Sequence, residues 1–97
     1  MQDELRIRAQ GNDLILELDV YSEYEDVEVI AERLKRYFKA SIIRKLDGPS
    51  NRVWFFTIGD SELQIHQVEG YGCFLKATAE DAKKLLREIR NQWFLYS

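Results

Sequence analysis

Apolar and polar side chains alternate through the middle of the chain, NRVWFFTIGDSELQIHQVEGYGCFLKA over residues 51–77. A period of two marks a half-buried strand, because successive side chains leave a strand on opposite faces. Residues 53–58 and 63–68 flank Gly59-Asp60. A glycine-initiated two-residue turn supplies the positive φ that a tight hairpin needs. With that turn, Ile58 pairs with Ser61, Phe56 with Leu63 and Trp54 with Ile65. One face then carries Trp54, Phe56, Ile58, Leu63 and Ile65, and the other carries Val53, Phe55, Thr57, Glu62, Gln64 and His66. The first set is the better core. At the following turn, Gly70-Tyr71-Gly72, two loop lengths are open. A three-residue loop is preferred, because it keeps Cys73 and Leu75 with the core and leaves Phe74 and Lys76 outside.

The same alternation appears at residues 5–9 and 14–20, on either side of Gln10-Gly11-Asn12-Asp13. Gly-Asn between two such runs is a second hairpin signal. Leu14, Leu16, Leu18 and Val20 share one face there; Ile15, Glu17 and Asp19 share the other. The period then changes. Val27, Ile30, Ala31, Leu34, Tyr37 and Phe38 recur at spacings of three and four and predict an amphipathic helix over residues 23–39. Ser22 with Glu25 three residues on has the form of a capping box. Residues 40–46 predict a short strand that ends at Asp47-Gly48-Pro49-Ser50. After the central strands, Thr78 with Asp81 resembles another N-cap. Ala82, Leu85, Leu86, Ile89 and Trp93 then predict a second helix over 79–91. All five glycines and the single proline fall in proposed turns, so the element boundaries agree with one another.

The predicted order is β-β-α-β-β-β-β-α, an α+β two-layer sandwich. It has a largely antiparallel sheet of five to six strands and two helices on one face, built as a single domain over 1–97. Two helices cover only one face of such a sheet. The other face is expected to meet solvent or a partner.

Composition adds limits. Ninety-seven residues with 45% hydrophobic and 32% charged side chains describe an ordinary globular chain. No apolar run approaches the roughly 20 residues of a spanning helix. Residues 1–10 have neither the basic nor the apolar region of a signal peptide, and the one cysteine forms no internal disulfide; both point to a cytoplasmic protein without membrane contact. The net charge of −3 is unevenly spread. Residues 1–32 hold ten acids and two bases, residues 33–47 six bases and one acid, and residues 48–97 six of each. Without a broad basic stripe, nucleic acid is not an expected partner.

No phosphate-binding, dinucleotide-binding or nucleophile-elbow pattern is present. Neither catalytic residue nor cofactor nor metal is expected. His66 is the only histidine, and Glu69, of opposite strand parity, is a poor partner for it. Two surfaces are candidates for binding a protein. One is the outer sheet face, Val53, Phe55, His66, Val68 and Phe74, where four apolar side chains would form a larger patch than a monomer usually bares. The other is an acidic surface of Glu17, Asp19, Glu23, Glu25, Asp26 and Glu28, suited to steering and docking a basic partner.

The stretch Leu46-Asp47-Gly48-Pro49-x-x-Arg52-x-Trp54-x-Phe56, followed by Leu63-x-Ile65-His66 and Gly72-x-Phe74, resembles small bacterial α+β proteins, some of them classed as immunity proteins of toxin systems. The resemblance covers about the middle third of the chain. It implies a non-enzymatic protein that binds and blocks a cognate toxin. The expected function is therefore a small protein-binding module docking a basic partner. The alternatives are a homo-oligomer joined through its outer sheet faces or the apolar Trp93–Tyr96 tail, and a small-molecule binder or enzyme using His66.

Overall fold

The structure is a computed structural model and describes residues 5–96. Six strands, β1 (Ile7–Gln10), β2 (Asp13–Leu18), β3 (Ser41–Asp47), β4 (Asn51–Ile58), β5 (Ser61–Val68) and β6 (Gly72–Ala77), form one sheet in the order β1-β2-β6-β5-β4-β3. Every neighbouring pair is antiparallel. Helices α1 (Asp26–Phe38) and α2 (Glu80–Gln92) share one hydrophobic core with the sheet's inner face, and a 3-10 turn, Trp93–Tyr96, follows α2. The architecture is the expected α+β sandwich, with six strands and the predicted element order.

The register follows from the turns. Ile58↔Ser61, Phe56↔Leu63 and Trp54↔Ile65 are paired as the Gly59-Asp60 turn requires. Gln10 pairs with Asp13 across Gly11-Asn12. Val68 pairs with Gly72 across a three-residue loop, and this sends Cys73 and Leu75 inward. Gly70 and Gly72 stand at φ of 82° and 119°, backbone that other residues reach only under strain. They hold Tyr71 out at the tip of that loop. Trp54, Phe56, Leu63, Ile65 and Leu75 meet Val27, Ile30 and Leu34 of α1 and Leu86 and Ile89 of α2 in the core. Each such side chain contributes about 1.5–3 kcal/mol by leaving water.

Some local expectations are corrected. Strand β2 stops at Leu18, where the Tyr21 amide turns back onto the Leu18 carbonyl (2.9 Å). Val20 is thereby left 67% exposed and outside the core. Tyr21 packs against the core instead, edge-on to Trp93 at 6.4 Å. Helix α1 begins at Asp26 without the Ser22–Glu25 box. The Asp26 carboxylate itself accepts the amides of Ser22 (2.9 Å) and Glu23 (2.8 Å), which closes the approach turn. Helix α2 starts from Ala79 with no side-chain cap. Thr78 donates its hydroxyl to Asp13 (2.8 Å), and Asp81 accepts from Ser61 (2.7 Å), so both side chains tie the helix start to the sheet. In β3 the register shifts between Ile42 and Arg44. This bulge reverses side-chain parity along the strand and brings Leu46 beside Val53.

β2 and β3 run parallel, so α1 must cross the whole sheet to join them. As a result the 19–25 segment, the β3–β4 turn and the β5–β6 turn all gather at one end of the sandwich.

Candidate functional site

The five outer-face residues do share one face, and all are half-buried. Lateral pairing aligns Leu46, Val53, His66, Phe74 and Glu17 in one row. Arg44, Phe55, Gln64, Lys76, Ile15 and Arg8 make the next. The rows are covered by their own polar side chains. Arg8 Nε donates to Glu17 Oε2 (2.6 Å) and Arg8 Nη2 to the Tyr71 hydroxyl (2.6 Å), which in turn donates to Glu17 Oε2 (2.9 Å). Arg8 holds the Glu17 carboxyl below its usual range. Ile15, on this face, is only 1% exposed. The Arg44 guanidinium lies 5.6 Å from the Phe55 ring centre, and Tyr71 meets Phe74 edge-on at 5.7 Å.

His66 stacks on Phe74 with ring centres 4.7 Å apart and lies 2.7 Å through Nε2 from Gln64 Oε1. Burial, reinforced by the charge of Lys76, lowers its pKa to about 4. The ring is therefore neutral at physiological pH, with an amide for its hydrogen-bond partner. Cys73 lies on the opposite face, where burial pushes its thiol up to about 11. That keeps it protonated and poorly nucleophilic. Among the described residues no group of three potential metal ligands occurs, and no helix is long and apolar enough to cross a membrane.

The six acidic candidates separate. Glu17 belongs to the outer sheet face. Asp26 is engaged with the Ser22 and Glu23 amides. Glu28 reaches Arg52, to which it is bound through both carboxylate oxygens (2.8 and 2.7 Å). Asp19, Glu23 and Glu25 remain exposed near the start of α1.

Glu23 and Asp19 border a feature that sequence reasoning missed. A cleft of about 570 Å³ opens among the three gathered loops, lined by Ser22, Glu23, Tyr24, Pro49, Ser50, Gln67, Glu69 and the Gly70–Gly72 loop. A smaller hollow of about 80 Å³ adjoins it and adds Glu17 and Asp19 to the walls. Neither is lined by a lysine or arginine. The frame is cross-linked. Glu69 N donates to Ser50 O (3.0 Å), Cys73 N to Tyr21 O (3.3 Å), and the Tyr24 hydroxyl to Gly48 O (2.9 Å).

Two polar residues of the inner face support this end. Arg52, 5% exposed, donates Nε to Asp47 (2.8 Å), Nη1 to the Tyr24 carbonyl and Glu28, and Nη2 to Glu28. Its guanidinium also lies over the rings of Tyr24 (4.5 Å) and Trp54 (4.9 Å), and Trp54 Nε1 donates to the same Asp47 oxygen (2.8 Å). Arg52 in turn holds Asp47 and Glu28 below the usual carboxylate range. Beside it Gln67 is 3% exposed, and its Oε1 has no hydrogen-bond partner among the described residues. A signal for both was present. The alternation that sends Trp54 and Ile65 inward also sends Arg52 and Gln67 inward, and a polar residue at core parity requires a partner.

Compared with protein-family models, with curated proteins and with solved structures, the chain finds no match.

Proposed function

We propose that this chain is a non-catalytic protein-binding module that docks a basic partner at the loop end of the sandwich. The observation that carries the reading is the cleft there. It is rimmed by Glu23 and Glu69, continued by Asp19 in the adjoining hollow, and lined by no cation. A concave surface of one sign focuses the field and steers an oppositely charged partner. The hydrogen bonds that tie the three loops together hold the walls in place before binding, which lowers the ordering cost. Residues 46–75 resemble small bacterial α+β proteins, some of them classed as immunity proteins, and the acidic charge of the first third of the chain would suit a basic toxin as the target.

The test is the salt dependence of binding to a basic probe protein. Affinity should fall steeply between about 50 and about 200 mM salt. It should fall again, by about tenfold, when Asp19 and Glu23 are reversed to lysine. Binding indifferent to both changes would remove the reading.

A second reading, a homo-oligomer, is favoured by the free edge of β3, where Ile43 and Leu46 are 53% and 45% exposed. An unpaired edge with apolar side chains is a template for a further strand. Sedimentation of the wild type and of Leu46→Glu distinguishes the two. Concentration-dependent association abolished by the substitution supports the oligomer.

A further inference from the structure

We propose that the free edge of β3 receives an extended acidic segment of a protein partner, which adds to the six-stranded sheet beside Arg44–Asp47. The occupant is opposite in charge to the basic partner of the loop-end cleft, so this is a second binding surface.

β3 has β4 on one side and no strand on the other. The amides and carbonyls along such an edge lack a partner strand, and an extended chain can supply one. β1, the other outer strand, has four residues against seven in β3. The bulge at Ile43 bounds the usable stretch of β3, since the pairing with β4 is regular only from Arg44 to Asp47.

The side chains along this stretch select the occupant. Residues 33–47 hold six bases and one acid, and that acid, Asp47, already accepts from Arg52 and Trp54. Arg44 and Lys45 are exposed and have no carboxylate partner among the described residues. Each lies instead over an aromatic ring of β4, Arg44 at 5.6 Å from Phe55 and Lys45 at 4.3 Å from Trp54. Adjacent residues leave a strand on opposite faces, so the two cations flank the edge from both sides. Towards Asp47 the character changes. Leu46, 45% exposed, lines a hollow of about 330 Å³ with Val53, Asp47, Gly48 and Asn51. Directly opposed residues share a face and interact. An antiparallel strand with an apolar residue opposite Leu46, followed by acids opposite Lys45 and Arg44, therefore meets each side chain with its complement.

The same charges disfavour a second copy. Two β3 strands paired antiparallel about Arg44 or about Lys45 set cation against cation, which destabilises the pair. Edge cations of this kind deter self-pairing yet attract an acidic strand. The edge that an oligomer would use is thus better matched to a different chain.

The test is an NMR titration of the isotope-labelled full chain with a short capped peptide, Thr-Ile-Glu-Glu-Val-Thr, and with its Gln-Gln counterpart. The expected result is saturable shifts and slowed exchange at the backbone amides of residues 44–47, with the glutamine peptide about tenfold weaker. Two N-methylated versions, blocking alternate backbone amides in opposite phase, identify strand addition. Only one edge of an added strand faces β3, so one version should lose binding and the other keep it. Arg44→Glu combined with Lys45→Glu should weaken the peptide about tenfold, and a Lys-Lys peptide should bind that variant instead. Lys45→Gln, about threefold weaker, serves if the double variant fails to fold. Absence of saturable shifts at millimolar peptide, equal effects of the two methylation patterns, or a short oligothymidylate binding β3 as tightly as the peptide overturns the proposal. Self-association that moves the same amides as the peptide makes the occupant a second copy and also overturns it. The loop-end reading is tested separately at Asp19 and Glu23 and stands or falls independently of these outcomes.

Discussion

His66 and Arg52 show how one side chain's surroundings decide its chemistry. The lone histidine invites a catalytic role, but it is stacked on Phe74 and bonded to Gln64, with its pKa lowered to about 4 by burial first and by Lys76 second. The unfolded chain should protonate this residue near 6.5. As pH falls from 6.5 to 4 the unfolded state therefore binds the proton first, and folded stability declines across that window. The lowered carboxylates Glu17, Glu28 and Asp47 act in the same direction at lower pH, losing their stabilisation as they protonate. Urea denaturation of His66→Gln should show a flat stability between pH 6.5 and about 4.5 where the wild type slopes. An unchanged slope would assign the effect elsewhere. Arg52 is the reverse case, a charge kept inside by complete pairing. Arg52→Lys keeps the charge but not the fork that engages Glu28 and Asp47 together. It should cost about 1–2 kcal/mol in chemical denaturation, and Arg52→Ala about 2–4 kcal/mol. Both carboxylate partners face solvent and can rehydrate, so the loss should stay well short of unfolding the domain.

At the scale of elements, register and burial follow from simple periodicity, while ends and irregularities do not. The hairpins at Gly11-Asn12 and Gly59-Asp60 were legible because their turn residues and their flanking alternation specify the same register. The bulge at Ile43 was not, because SIIRKLD carries no glycine or proline to mark it. Val20 continued the alternation of β2 but lies beyond the turn that ends the strand. The Thr78–Asp81 cap pattern named plausible side chains that the sheet had already engaged, Thr78 by Asp13 and Asp81 by Ser61. The cleft was illegible for a related reason. It forms where three loops distant in sequence meet, and only Gln67's polar character at core parity hinted at it. The helix ends leave stability to be gained. Ala79 occupies the N-cap of α2 in extended backbone with no side chain to accept an amide. Ala79→Ser should add about 1 kcal/mol. Lys39 ends α1 at φ 59°, left-handed backbone that glycine adopts without strain, so Lys39→Gly should add about 0.5–1 kcal/mol. Midpoints of thermal unfolding check both, and a lower midpoint in either would contradict the assigned backbone.

For the whole molecule, the antiparallel order with α1 spanning the sheet gives the two ends different characters. The loops 19–25, 47–51 and 69–71 crowd one end around the cleft. The tight turns at Gly11-Asn12 and Gly59-Asp60 and the start of α2 occupy the other, beside the exposed acids Asp60 and Glu62. Net charge alone attracts cations without regard to place, whereas a docking surface depends on where the charge sits. The two can be separated within this chain. Asp19 with Glu23, and Asp60 with Glu62, are equal numbers of acids on opposite ends, and Glu23 alone among them lines the main cleft. Reversing either pair to lysine shifts the net charge of −3 by the same amount. If the loop end docks the partner, reversal of Asp19 and Glu23 should lower affinity for a basic protein about tenfold and slow association. Reversal of Asp60 and Glu62 should change affinity by less than about twofold at physiological salt, because the two ends lie more than a Debye length of about 8 Å apart. Surface plasmon resonance on the two variants reads both the rate and the affinity. Equal losses from the two would show that the acidity of the chain serves only its overall field, and that the cleft is not where the partner is held.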